Sequence, residues 1–226
     1  MAVLATFTSG GKGGTGKTTL STMLTLALAL YGKEVLLVDC SSEGGAARLL
    51  LGEPSPPYFR DALEGKCSLY DTIEWCEVEL GSKAVSFYLV PNVGPLPRVD
   101  LSAFFEPHLK IFEEHLDAVI FDLPAYQDPW YVGFAELSDV VVKVAEPNHT
   151  SFAGAASAYP QSNPSEKLVV FALNQPRPYS PRWIKAFEEM ARQHAHAVLV
   201  FPYRPELQYL NPERVGPVFL LSLIHI

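Results

Sequence analysis

A chain of 226 residues, 48% hydrophobic and 19% charged, can bury one sizeable core and is neither disordered nor fibrous in composition. Its net charge of −8 argues on average against a polyanion as main partner, but the charge is uneven. Residues 1–166 carry 10 basic and 21 acidic side chains, and residues 167–226 carry 7 and 4, so the last part can face DNA or an acidic partner, or be a solvated surface.

The first residues lack the positive n-region of a signal peptide, and the apolar run 24–30 is far too short for a membrane span. Residues 2–8 read as an apolar strand. The next stretch is Ser9-Gly10-Gly11-Lys12-Gly13-Gly14-Thr15-Gly16-Lys17-Thr18-Thr19. From Gly11 it fits G-x-x-x-x-G-K-[ST], a loop whose glycines turn backbone N–H groups onto a phosphate. A helix over 16–31, ended by Gly32, adds the positive end of its dipole. Such a loop implies a nucleotide triphosphate, with Lys17 on the β- and γ-phosphates and the Thr18 hydroxyl on Mg²⁺.

Residues 34–39 form a continuous apolar run ending in Asp39, as in a parallel strand buried on both faces. Ligands of such sheets lie at the carboxyl ends of strands, so Asp39 points at the nucleotide. Cys40, Cys67 and Cys76 have neither zinc nor disulfide-framework spacing and suit a reducing cytoplasm. After a proline-containing stretch, residues 86–92 read as a strand. Residues 104–116 read as a helix with Phe105, Leu109, Phe112 and Leu116 on one face. His108 and His115 lie on or beside that helix without a partner at metal-ligand spacing. Residues 117–122 form a third strong strand ending in Asp122, followed by Leu123-Pro124-Ala125-Tyr126.

Residues 140–145 are the next strand, with Glu146-Pro147-Asn148 as exit loop, and 167–173 the one after, ending at Asn174. Asn174 also stands before Gln175-Pro176, where an asparagine serves equally as a turn former. Ser180-Pro181 opens a helix in N-cap and N1 order, with Ile184, Phe187 and Ala191 as its apolar stripe. Arg182, Lys185 and Arg192 lie on its other side, where Glu188 and Glu189 can pair with Arg192 and Lys185. A last strand over 197–201 runs into Pro202-Tyr203-Arg204, and Gly216-Pro217-Val218 follows. The end, Leu221 to Ile226, spells a translated sequencing adapter. It is read as a non-native tail after a domain spanning 1–220 that lacks a final helix, the alternative being a genuine apolar segment.

Lys12 within K-G-G-x-G-K-T-T resembles the deviant phosphate loop of the ParA/MinD family of ATPases. The resemblance implies an α/β fold with a doubly wound, mostly parallel sheet and helices on both faces. It implies ATP and Mg²⁺ as ligands, and a homodimer formed on ATP binding in which Lys12 reaches the partner's nucleotide while Lys17 serves its own; a solvated loop charge is the plainer reading of Lys12. Gly11, Lys12, Gly13, Gly14, Thr15, Gly16, Lys17, Thr18 and Thr19 would bind the nucleotide. Thr18, Asp39 and Asp122 would hold the metal, and Lys12, Lys17, Asp39 and Asp122 would carry catalysis. The loop from Asp122 to Asp128 would sense the γ-phosphate. Asn174, Pro202 and Tyr203 would lie against the adenine. Ser41 stands where the family has the second carboxylate of D-x-D, with Glu43 nearby, and a serine is a poor base at neutral pH. ATP binding is thus the firmer expectation and turnover the weaker. The implied role is cytoplasmic DNA partitioning with a stimulating partner protein and no integral membrane segment. The alternatives are a non-hydrolysing regulator or a membrane-cycling positioning ATPase.

Overall fold

The computed structural model describes residues 1–125, 128–158, 167–175 and 177–224. One sheet carries all eight described strands, in the order β3-β4-β2-β5-β1-β6-β7-β8. They are β1 (Val3–Thr8), β2 (Val35–Asp39), β3 (Glu74–Leu80), β4 (Lys83–Val90), β5 (Ala118–Asp122), β6 (Val140–Ala145), β7 (Leu168–Asn174) and β8 (Ala197–Phe201). Every pairing is parallel except β3 with β4, a hairpin in which Leu80 faces Lys83. The expected doubly wound, mostly parallel sheet is therefore what the chain forms.

The strands read from continuous apolar runs are the ones the sheet buries. Every residue of β2 and of β5 is buried. Alternation sorts their side chains: Val35, Leu37, Ala118 and Ile120 face one layer, and Leu36, Val38, Val119 and Phe121 face the other. The first layer holds α1 (Lys17–Leu30), α2 (Gly45–Leu51) and α8 (Val215–Ile224). The second holds α3 (Phe59–Leu63), α4 (Leu101–His115) and α5 (Val132–Leu137), around Phe59, Phe105, Phe121 and Phe134. Beside them α6 (His149–Ser157) and α7 (Pro181–Ala191) pack Phe152 and Phe187 on Phe171 of β7.

Several elements differ from the sequence reading. β3 was not expected, although Cys76, Val78 and Leu80 alternate with exposed or half-buried neighbours as an edge strand should. Helix α4 starts three residues early because the Asp100 side chain accepts from Ala103 N–H and caps it. Short α5 and α6 were not expected either. Gly216-Pro217-Val218 lies in the first turn of α8, and Val215, Val218 and Phe219 are buried there. Gly216 lies so close to β3 that a Cβ would sit 2.0 Å from the Glu79 carbonyl oxygen. Tyr126 and Gln127 of the expected γ-phosphate sensor, Pro176, and residues 225–226 of the suspected tail lie outside the described residues.

Candidate functional site: the phosphate loop and its two carboxylates

The carboxyl ends of β1, β2 and β5 meet at one place because the three strands are neighbours in the sheet. From β1 the chain enters the glycine-rich loop, where the Ser9 hydroxyl donates to the Lys12 carbonyl at 2.8 Å and closes the turn. Residues 11–14 are exposed, so the face meant for phosphates is open. Gly16 is the N-cap of α1 at φ +89 and supplies no side-chain cap, which leaves the helix N–H groups available to an anion.

Lys17, in the first turn of α1, is only 7% exposed. Burial pulls its ammonium down, and the Asp122 carboxylate opposes that shift. Asp39 and Asp122 are fully buried register partners on β2 and β5. They differ in what they touch. Asp39 accepts from the N–H of Ser41 at 2.8 Å and from the N–H of Ala47 at 2.9 Å, and so fixes the turn into α2. Burial first, then the Asp122 charge, push it up to about 7, against those hydrogen bonds. Asp122 has no hydrogen-bond partner on either oxygen among the described residues. Burial pushes it up to about 6, opposed by the nearby Thr18 hydroxyl, the Lys17 ammonium and the Ser21 hydroxyl.

A buried carboxylate with no well-formed hydrogen bond suits a cation. Asp122, with the Thr18 hydroxyl beside it, fits a Mg²⁺ ion that takes its other ligands from phosphate and water. Asp39 fits a direct ligand less well, since both its oxygens already serve backbone N–H groups. No set of three or more His, Cys, Asp or Glu side chains forms a metal cage among the described residues. The Ser41 hydroxyl accepts from Gly45 N–H at 2.6 Å and so tethers the start of α2. Glu43 is exposed.

Beyond the loop, Lys12, Gly14, Glu146, Asn148, Thr150 and Arg177 line an open groove of about 500 Å³. Glu146 accepts from Asn148 Nδ2 and from the Tyr179 hydroxyl, both at 3.1 Å. The Asn148 Oδ1 caps α6 by accepting from Ser151 N–H. Sequence reasoning missed this wall of the site; Asn148, an N-cap residue type after Pro147, was the one signal for it. At the far side of the expected sensor loop, Asp128 accepts from Arg98 at 2.6 Å and caps a short turn through Trp130 N–H. Asn174 lies at the loop, with its amide on the Thr15 carbonyl. Pro202 and Tyr203 follow β8 at the same end of the sheet.

The fold and this loop define a phosphate-loop nucleotide-binding protein. Residues 6–208 match the family model described as the CobQ/CobB/MinD/ParA nucleotide binding domain, and the chain belongs to that family. It is 27% identical over 176 residues to the antiactivator FleN of Pseudomonas aeruginosa, an alignment covering 77% of this chain and 61% of FleN. It is 34% identical over 123 residues to the cell division protein PomZ of Myxococcus xanthus, covering 50% of this chain and 37% of PomZ. The matched segments thus span less than two thirds of these curated relatives. Among solved structures, the septum site-determining protein MinD of Pyrococcus horikoshii with Mg-ADP superposes with a TM-score of 0.73 at 22% identity, over 99% of this chain and 93% of that one.

Proposed function

We propose that this protein is a Mg-ATP-binding switch of the ParA/MinD type that dimerises when ATP is bound and acts in the cytoplasm. One observation carries the reading: a nearly buried Lys17 at the mouth of a phosphate loop, beside a buried Asp122 whose oxygens meet no well-formed hydrogen bond among the described residues and have only Thr18, Ser21 and Lys17 near them. Lys17 and the backbone of residues 11–16 bind the β- and γ-phosphates, and Thr18 and Asp122 hold the metal. Bound Mg²⁺ would neutralise phosphate charge and orient the γ-phosphate. Asp39, fixed by the N–H groups of Ser41 and Ala47, sets the turn after β2, which in this reading responds to the γ-phosphate.

The specific form we favour is a DNA-partitioning ATPase with a stimulating partner protein, supported by the basic surplus of residues 167–226. One of its cations, Arg192, is engaged by Glu188 on α7, a pair already counted in that balance. A second reading, a nucleotide-dependent regulator that does not hydrolyse, is favoured by Ser41, whose hydroxyl is already engaged by Gly45 N–H.

ATP turnover with and without DNA, on the parent, Lys17→Ala and Ser41→Asp, separates the two. Slow turnover that Lys17→Ala abolishes and DNA raises supports the partitioning switch. Tight ATP binding without turnover, with activity gained in Ser41→Asp, supports the regulator. Parent and Lys17→Ala binding ATP equally poorly would refute both.

A further inference from the structure

The side chain of Asn174, at the end of β7, reaches the phosphate loop from the side of the neighbouring strands. Its Nδ2 donates to the Thr15 carbonyl at 2.8 Å, across 159 residues of sequence. The approach is so close that a Cβ on Gly16 would lie 2.2 Å from the same nitrogen. Thr15 is fully buried, and Gly16 is the left-handed residue that turns the loop into α1. In a planar trans peptide the C=O and the following N–H point in opposite directions. A donor that fixes the Thr15 carbonyl therefore fixes the Gly16 N–H as well, turned away from Asn174.

We propose that Asn174 is a positioning residue for the phosphate loop: its amide holds the Thr15–Gly16 peptide with the N–H aimed at the bound polyphosphate. This rests on the nucleotide-binding reading above and goes beyond the base contact that the family resemblance assigns to Asn174. One of its two N–H groups is spent on the loop, which fixes the amide there before any base is bound. Asn174 thus governs affinity for the polyphosphate, whichever base is attached. Gly16 has no alternative residue, because any side chain there meets the Asn174 amide and is strained at φ +89.

The test compares binding of ATP, GTP and inorganic tripolyphosphate, each with Mg²⁺, to the parent, Asn174→Ala, Asn174→Asp and Lys17→Ala. Loss of one neutral hydrogen bond to the loop is expected to weaken all three probes about five- to tenfold and to a similar extent in Asn174→Ala. Asn174→Asp keeps the shape, loses the donor and sets a carboxylate against the Thr15 carbonyl, so its loss is expected to be at least as large. A loss confined to ATP, with tripolyphosphate unchanged, would make Asn174 a base reader and overturn the proposal. No loss on any probe would overturn it too. Amide hydrogen exchange across residues 9–19 in the nucleotide-free protein is a second, independent readout. It should quicken in both Asn174 variants, and unchanged exchange contradicts the latch. If parent and Lys17→Ala bind none of the probes, the nucleotide reading has failed by itself, and the exchange data still decide whether Asn174 holds the loop.

Discussion

Two buried carboxylates one strand apart, with a single half-compensating lysine, are an unstable arrangement in the absence of a cation. Asp39 is pushed up to about 7 and Asp122 up to about 6, each by burial before any other cause. In the free protein both therefore keep protons that the unfolded chain, with ordinary carboxylates, has already released. Their contribution to stability falls as pH rises from about 4 to about 7 and is level above that. Removing the charge should reverse the penalty. Asp122→Asn is expected to stabilise the free protein at pH 8 by on the order of 2 kcal/mol and to gain little at pH 4. The same change should abolish Mg²⁺-dependent ATP binding. Urea unfolding in a chelator at the two pH values checks this, and equal stabilities of parent and variant at pH 8 would contradict it.

At the scale of elements, α6 is the strut behind the loop. Asn148 caps its start, Gly154 lies against the loop, and the buried Lys143 of β6 donates to the Ala156 carbonyl at 3.1 Å near its end. Cation and helix C-terminus suit each other, although burial pulls Lys143 down to about 8. A Cβ on Gly10 would meet the Gly154 carbonyl oxygen at 1.8 Å, so the two backbones touch. Gly10→Ala should push the loop away from α6 and weaken ATP binding at least tenfold, with the chain still folded by circular dichroism. Unchanged affinity would show that the loop tolerates displacement. The strut was hidden in the sequence because His149–Ser157 is short and rich in small residues, with only Ser151, Phe152 and Ala155 buried. By contrast, residues 35–39 and 118–122 announced themselves, since a strand buried on both faces must be apolar throughout. The phosphate loop was legible for a different reason: its chemistry is local, held within eleven consecutive residues. The Asn174–Thr15 contact joins residues 159 apart, and no local pattern encodes it. The hairpin β3–β4 was legible in principle from its alternation. α8 packs on it through Gly216, whose close approach to Glu79 only the folded chain reveals. Gly216→Ala should lift that helix and cost about 1–3 kcal/mol of stability with ATP affinity unchanged, measured by denaturant unfolding beside a binding titration.

For the whole molecule, the charges at the mouth of the site divide into two sets. Lys17 is buried and faces inward to Asp122, whereas Lys12 is exposed at the rim of the 500 Å³ groove, and its ammonium has no described partner within the chain. An exposed cation on a rigid glycine turn adds little to binding of the chain's own nucleotide, because water screens it. Covered by a second copy, the same cation loses that screening, and a polyphosphate opposite becomes a strong partner. ATP should therefore act twice: through Lys17 within one chain, and through Lys12 between two. Lys12→Ala is expected to leave the affinity of the dilute monomer for ATP within about threefold of the parent, as for an exposed charge. It should also prevent the ATP-dependent rise in mass seen by light scattering at higher protein concentration. Lys17→Ala should lose both. The dimer of the parent should weaken as salt is raised, since part of its stability is charge attraction at a surface still partly wet. If Lys12→Ala dimerises with ATP as the parent does, the lysine is a solvated loop charge and the partner's nucleotide is held by other groups. A loss of monomer affinity as large as that of Lys17→Ala would instead place Lys12 on its own chain's phosphates.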